Sequence, residues 1–154
     1  MAVLLVVHHT TSPALQELLD AVLDGTRADG IENVDVRVRA ALIASPVDVL
    51  EADGFLLGTP ANIGYLSGAL KHFFDGIYYP TMTEKLGAPY GLWVHGNQGV
   101  EGAVRAAESI TKALGWQKVH EPVTTMGMPG KDAREACFEL GGTVAASLMA
   151  AAQS

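Results

Sequence analysis

The stretch AVLLVVHHTTSPALQELLDAVLDG, Ala2 to Gly25, changes periodicity partway along, and that change decides the fold. Val3, Leu4, Leu5, Val6 and Val7 form an unbroken β-favouring run, the mark of a strand covered on both faces in a parallel sheet. The run ends near His8. Ser12 and Pro13 supply a cap and a helix-starting residue, and Leu15, Leu18, Leu19, Val22 and Leu23 follow at three- and four-residue spacing, with Gly25 at the exit. A buried strand, a short polar loop and an amphipathic helix make one half of a βαβ unit.

The same alternation continues outward. Val34, Val36 and Val38 alternate with Asp35, Arg37 and Arg39, which predicts a second strand at an edge. A short helix over Val47 to Ala52 leads to a central third strand, Gly54 to Gly58, that stops at Thr59 and Pro60. From Ser67, Leu70, Phe73 and Phe74 make the apolar face of a helix expected to end before Pro80. Tyr90 to His95 reads as a fourth strand, Val100 to Leu114 as a helix stopped by Gly115, Val119 to Thr125 as a fifth strand, and Arg134 to Ala152 as a final helix. Strands alternating with helices at this spacing imply an α/β protein with an open parallel sheet, right-handed crossovers and helices on both faces.

With 154 residues, against roughly 100 to 200 per domain, residues 1–154 read as a single domain. Hydrophobic residues make up 49% and charged residues 18%, which excludes intrinsic disorder. Ten Lys and Arg against seventeen Asp and Glu leave a net charge of -7, unfavourable for nucleic acid. The apolar run at Ala2 to Val7 is too short for a membrane span or a signal sequence. Cys137, the single cysteine, has no intrachain partner and lies in a helical pattern, so it reads as a small buried hydrophobe in a cytoplasmic protein.

In open α/β sheets, ligands bind beyond the carboxyl ends of the strands, so three loops matter most. The first, His9 to Leu15, joins three hydroxyls to a helix start whose amides and dipole favour an anion; an ordinary Ser or Thr cap is the plainer alternative. No Lys or Arg precedes Arg27, so hydroxyls and amides would have to hold that anion. The second, Gly58 to Gly68, has no charged side chain and three glycines, and Asn62 can both donate and accept, which suits a flat neutral heterocycle. The third, His95 to Gly102, is again glycine-rich, with Asn97 and Gln98 as its amide side chains.

The segment GTPANIGYLSGALKHFFD, Gly58 to Asp75, resembles the G-T-P-x-x-x-G-x-x-S-G-x-L-K-x-F-x-D stretch of flavodoxin-fold FMN proteins. Within them the chain is most similar to NAD(P)H-dependent FMN reductases and tryptophan-repressor-binding-protein quinone reductases, over nearly its whole length. The resemblance implies a flavodoxin-like three-layer sandwich with five parallel strands in the order 2-1-3-4-5. It implies that Thr10, Thr11, Ser12, Ala14 and Leu15 hold the FMN phosphate. Pro60, Ala61, Asn62, Ile63 and Gly64 would flank the isoalloxazine together with His95, Gly96, Asn97, Gln98, Gly99 and Val100. NAD(P)H is the implied electron donor, with a quinone, a flavin or a redox protein as acceptor and a homo-oligomer as one arrangement. Two departures stand out. Pro13 occupies a position where the family has Gly and removes one N–H, and a short Thr81 to Gly87 loop replaces the insertion of the larger quinone reductases.

Other sites fit less well. His8 and His9 are adjacent on a strand and point to opposite faces, a poor chelate, so no metal is expected. The nucleophile elbow, the Walker loop and the dinucleotide glycine fingerprint are all missing. Lys71, His72 and Asp75 read as a solvated helix face, Trp93 as core, and Tyr65, Tyr78 and Tyr79 as candidates for stacking on a flavin. No catalytic side chain is expected, since the flavin would carry the chemistry. Three readings stay open: an NAD(P)H-dependent FMN oxidoreductase, an electron carrier without turnover, and a flavin-free module on the same scaffold.

Overall fold

The structure is a computed structural model describing residues 1–152. Seven strands and five helices follow in the order β1 (Ala2–His8), α1 (Pro13–Thr26), β2 (Val34–Ala40), α2 (Pro46–Glu51), β3 (Gly54–Asn62), β4 (Tyr65–Leu66), α3 (Gly68–Thr81), β5 (Pro89–Gly96), α4 (Val100–Leu114), β6 (Gln117–Lys118), β7 (Val123–Met126) and α5 (Lys131–Ala152). The parallel sheet runs β2-β1-β3-β5, and β6 and β7 both pair with the outer side of β5 and together fill the fifth position. Strand β4 is a short antiparallel addition to the end of β3.

Adjacent residues of a strand point to opposite faces, so unbroken apolar runs feed two cores at once. Leu4, Val6, Leu56 and Trp93 pack on one face with Leu18 and Val22 of α1 and Leu140 and Val144 of α5. Leu5, Val7, Phe55, Leu57 and Val94 pack on the other with Val49 of α2, Phe73 and Phe74 of α3, and Ala103 and Ala107 of α4. Trp116 stacks on Phe55 with ring centroids 3.9 Å apart and nearly parallel planes. Each such fully buried side chain contributes about 1.5–3 kcal/mol relative to exposure. Helices α1 and α5 cross with backbones in contact: a Cβ on Gly25 would stand 2.0 Å from the Phe138 carbonyl oxygen, and one on Gly141 would stand 2.1 Å from that of Val22.

The structure corrects the sequence reading at four places. Helix α3 runs through Pro80 to Thr81 instead of stopping before it. A proline in the last turn forfeits one amide bond, and there the Thr81 hydroxyl donates to the Ile77 carbonyl at 2.7 Å. Strand β3 continues past Thr59 and Pro60 to Asn62, because Pro60 still pairs in register with His95 and the chain then turns back into β4. The fifth strand is broken into β6 and β7 around His120, Glu121 and Pro122, where proline has no amide for the ladder. Helix α5 begins at Lys131, three residues before Arg134.

Candidate functional site

The register sets the carboxyl ends of the strands level. His8 of β1 lies beside Gly58 of β3, and Gly58 beside Trp93 of β5, with all three on the α1 and α5 side of the sheet. Gly58 has no side chain because there is no room for one: a Cβ there would stand 2.1 Å from Cε2 and Cζ2 of the Trp93 indole. Beyond this row the three loops come together.

In the first loop the His9 amide donates to the Gly58 carbonyl at 3.0 Å and ties the chain to the central strand. The Ser12 hydroxyl accepts from the Leu15 amide at 3.2 Å and caps α1. Pro13 is the first helical residue, where an amide would have no partner inside the helix, so the departure noted in the sequence suits helix entry. Among the described residues the amides of Thr10, Thr11, Ser12 and Ala14 have no acceptor. The side chains of Ala14 and Leu15 are buried in the core, so these two can offer only backbone, and Leu15 already spends its amide on Ser12. His8 Nδ1 lies 2.8 Å from Thr10 Oγ1. Burial, and secondarily the neighbouring His9, push the His8 imidazole below its ordinary pKa.

The second loop is a hairpin. Ala61 pairs with Leu66 and Asn62 with Tyr65, and the two residues between them, Ile63 at φ 51° and Gly64 at φ 71°, are both left-handed. Two positive φ values make the type I′ turn that matches strand twist. Isoleucine is an unfavourable residue for it, and its side chain is fully exposed. Thr59, completely buried, accepts from the Ser67 amide at 3.0 Å and donates to the Pro60 carbonyl at 2.8 Å, while the Ser67 hydroxyl caps α3 by accepting from the Leu70 amide at 3.1 Å. Thr59, Ser67, Leu70 and Phe73 of the quoted segment are therefore architectural. Pro60 is buried, Ala61 half-buried, and Asn62, Ile63 and Gly64 are exposed.

In the third loop Gly99 adopts φ 71° and opens α4 without a side-chain cap. The hairpin tip rests on this helix start: a Cβ on Gly99 would stand 2.8 Å from the Gly64 Cα, and one on Gly102 would stand 2.0 Å from the Gly64 carbonyl oxygen. Gly96 is also tightly packed, its Cβ position 3.0 Å from Ala61 Cβ. Asn97 and Gln98 are exposed, Val100 is buried, and the amides of Asn97, Gln98, Gly99 and Val100 have no acceptor among the described residues. His95 Nε2 lies 2.7 Å from the Gly127 carbonyl oxygen, which ties it to the segment after β7.

The three loops together present amides, hydroxyls, the His9 imidazole and the exposed side chains of Pro13 and Ile63, and residues 9–13, 60–64 and 96–100 contain no Asp, Glu, Lys or Arg. The site is an open shelf. Depressions of about 300 to 550 Å³ lie elsewhere, for instance at the opposite end of the sheet beside Asp53 and Lys85 and in the α1–α5 groove beside Asp20 and Phe138.

Other candidates fall away from it. Tyr78 and Tyr79 sit ten and eleven residues into α3, about 15 Å along the helix at 1.5 Å per residue, so neither reaches the shelf; they pack edge to face on each other. Tyr65 stays at the hairpin, partly exposed. Lys71 and Asp75 pair with each other at 2.6 Å on the outer face of α3. Cys137 is fully buried, and burial pushes its thiol up to about 12. Among the described residues no group of three or more His, Cys, Asp and Glu side chains is placed to hold a metal ion. Sequence reasoning missed Ile63 as a strained, exposed residue; only the two-residue spacing between Asn62 and Tyr65 hinted at it.

No family model matches the chain. A flavodoxin of Aquifex aeolicus (strain VF5) is 34% identical over 77 residues, a match covering 50% of this chain and 40% of that protein. The flavodoxin, WrbA-like protein of Agrobacterium tumefaciens superposes with a TM-score of 0.80 at 16% identity over 97% of this chain and 99% of that one. The rubredoxin oxygen:oxidoreductase of Desulfovibrio gigas superposes with a TM-score of 0.83 at 12% identity, over 99% of this chain but only 37% of its own. The class is therefore that of open doubly wound α/β proteins with a loop-built shelf at the carboxyl edge. Within it, the fold of this chain is flavodoxin-like.

Proposed function

We propose that the protein binds FMN on this shelf and uses it to pass electrons from NAD(P)H to a quinone, a flavin or a similar acceptor. The observation that carries the reading is the set of unpaired amides at Thr10, Thr11, Ser12 and Ala14 on one side and at Asn97 to Val100 on the other, flanking an uncharged hairpin. Thr10, Thr11, Ser12 and Ala14 would donate to the phosphate from hydroxyls and amides at the start of α1, the end of a helix that favours anions. Leu15 would position that turn through its bond to Ser12. Pro60 to Gly64 and His95 to Val100 would flank the ring, with Asn62, Asn97 and Gln98 bonding its polar edge and Ile63 covering it. FMN, when bound, supplies the hydride and single-electron chemistry, so the protein needs to bind and orient and no side-chain acid or base is called for.

Incubation with FMN, desalting and a visible spectrum test this directly: near one perturbed flavin per folded chain is expected, and none would overturn it. The bound flavin should then be reduced by NADH or NADPH and reoxidised by a quinone. A carrier without turnover is the second reading, favoured by the match to a flavodoxin and by a net charge of -7 suited to basic redox partners. Reduction in two separate one-electron steps, without NAD(P)H oxidation, would favour the carrier. The single, buried cysteine fits a reducing compartment such as the cytoplasm.

A further inference from the structure

We propose that His8 is the positioning residue of the first loop: through its hydrogen bond to Thr10 it decides whether that loop can receive a phosphate dianion, taking up a proton when the anion arrives. The inference rests on the FMN reading above. Nδ1 of His8 and Oγ1 of Thr10 are 2.8 Å apart, and the protonation and tautomer of the ring decide which of the two donates. When the imidazole nitrogen accepts, the Thr10 oxygen turns its lone pairs outward and repels an oxyanion. When Nδ1 carries the proton and donates, the Thr10 hydroxyl is free to donate to that oxyanion. A neutral ring donates from Nδ1 in only one of its two tautomers, whereas an imidazolium always does, so proton uptake locks the loop in the arrangement that receives the anion.

Charge points the same way. Ahead of Arg27 the side chains hold no cation other than what His8 and His9 can acquire, so a phosphate at Thr10 to Ala14 meets no fixed countercharge on this element. Around His8, β2 presents Ala40, β3 presents Gly58 under the uncharged Trp93 indole, and the first turn of α1 has no acid. Burial first, and His9 second, disfavour the charged imidazole while the loop is empty. A dianion held by the Thr10 hydroxyl would favour the charged ring instead, so the imidazole would take up a proton as the anion binds.

The test is the pH dependence of FMN affinity, measured by quenching of flavin fluorescence between pH 8 and 6.5, above the second phosphate pKa of about 6. The expected Kd falls by up to tenfold per unit fall in pH, the slope of one proton taken up on binding. Riboflavin, which lacks the phosphate, should bind with no such slope, and NMR of the labelled imidazole should show the His8 pKa rising when FMN is added. His8→Asn places a permanent donor where Nδ1 stands, so FMN should bind it with flat pH dependence. His8→Phe removes the donor, so binding should be flat and at least tenfold weaker at pH 6.5. His9→Gln should keep the slope. A flat profile with FMN bound to the natural protein, an equal slope for riboflavin, or loss of the slope in His9→Gln would overturn the role of His8 and leave the FMN reading standing. Absence of FMN binding at every pH would overturn both.

Discussion

The Thr59 hydroxyl stands 3.0 Å from the Ser67 amide, in a fully buried spot, and joins the end of β3 to the start of α3 across the whole hairpin. The hairpin tip is then pressed onto Gly99 and Gly102 of α4. A loop of neutral residues is thereby held at two places without a single ion pair.

Thr59→Val keeps the shape and removes the hydroxyl, which leaves a buried donor at Ser67 unpaired. The expected loss is about 1–3 kcal/mol of unfolding free energy, read from the urea midpoint with an unchanged slope. Thr59→Ser should recover most of it. An unchanged midpoint in Thr59→Val, with the loss appearing only in Thr59→Ser, would show that the methyl group matters and the bond does not.

Gly141→Ala at the α1–α5 crossing forces a Cβ to within 2.1 Å of the Val22 carbonyl oxygen, so the helices must separate. About 1–3 kcal/mol should be lost, a fall of roughly 2–12 °C in Tm at about 2–4 °C per kcal/mol. Gly76→Ala provides the contrast: it lies inside α3 with nothing within 4 Å of its Cβ position, and should gain about 0.5–1 kcal/mol. Thermal unfolding followed by circular dichroism separates the two signs.

Ile63 holds φ 51° in a two-residue turn. A left-handed conformation costs an ordinary residue roughly 1–2 kcal/mol, and Asn-Gly is the preferred pair for this turn, so Ile63→Asn should stabilise the fold by about 1 kcal/mol. If the exposed isoleucine covers a bound flavin, the same variant should retain less FMN after desalting. A rise in Tm with unchanged retention would remove Ile63 from the site.

Burial pushes the Cys137 thiol from 9.0 up to about 12. Between those values the unfolded chain releases the thiol proton and the folded chain keeps it. The folded state then binds more protons, and stability declines as pH rises from 9 toward 12. Cys137→Ala should show a shallower decline over that range in denaturant titrations. At pH 8 the native thiol should resist a thiol-specific dye and react on unfolding.

The two-faced apolar runs at Leu4 to Val7 and Phe55 to Leu57, the three-and-four spacing after Pro13 and after Ser67, and the helix over Val100 to Leu114 were all legible, because periodicity records which side of an element is buried. The edge strand at Val34 to Val38 was legible for the same reason. Pro80 and Pro122 misled in opposite senses. A proline ends a helix only when the amide it lacks is needed, and in the last turn of α3 it is not; at the sheet edge Pro122 breaks a strand whose apolar pattern runs on.

The residues of the shelf were legible as three uncharged, glycine-rich loops. Their mutual placement was not. That Gly58 yields its side-chain space to Trp93, that Gly64 lies against Gly99 and Gly102, and that His8 reaches Thr10 are contacts between segments far apart in the chain or set by a turn in the backbone. Local sequence determined which segments become strand, helix and loop, because propensity and periodicity act over a few residues. Tertiary structure alone decided which loop touches which, and which amides are left unpaired at the shelf, because those depend on strand register and on how closely two backbones can approach.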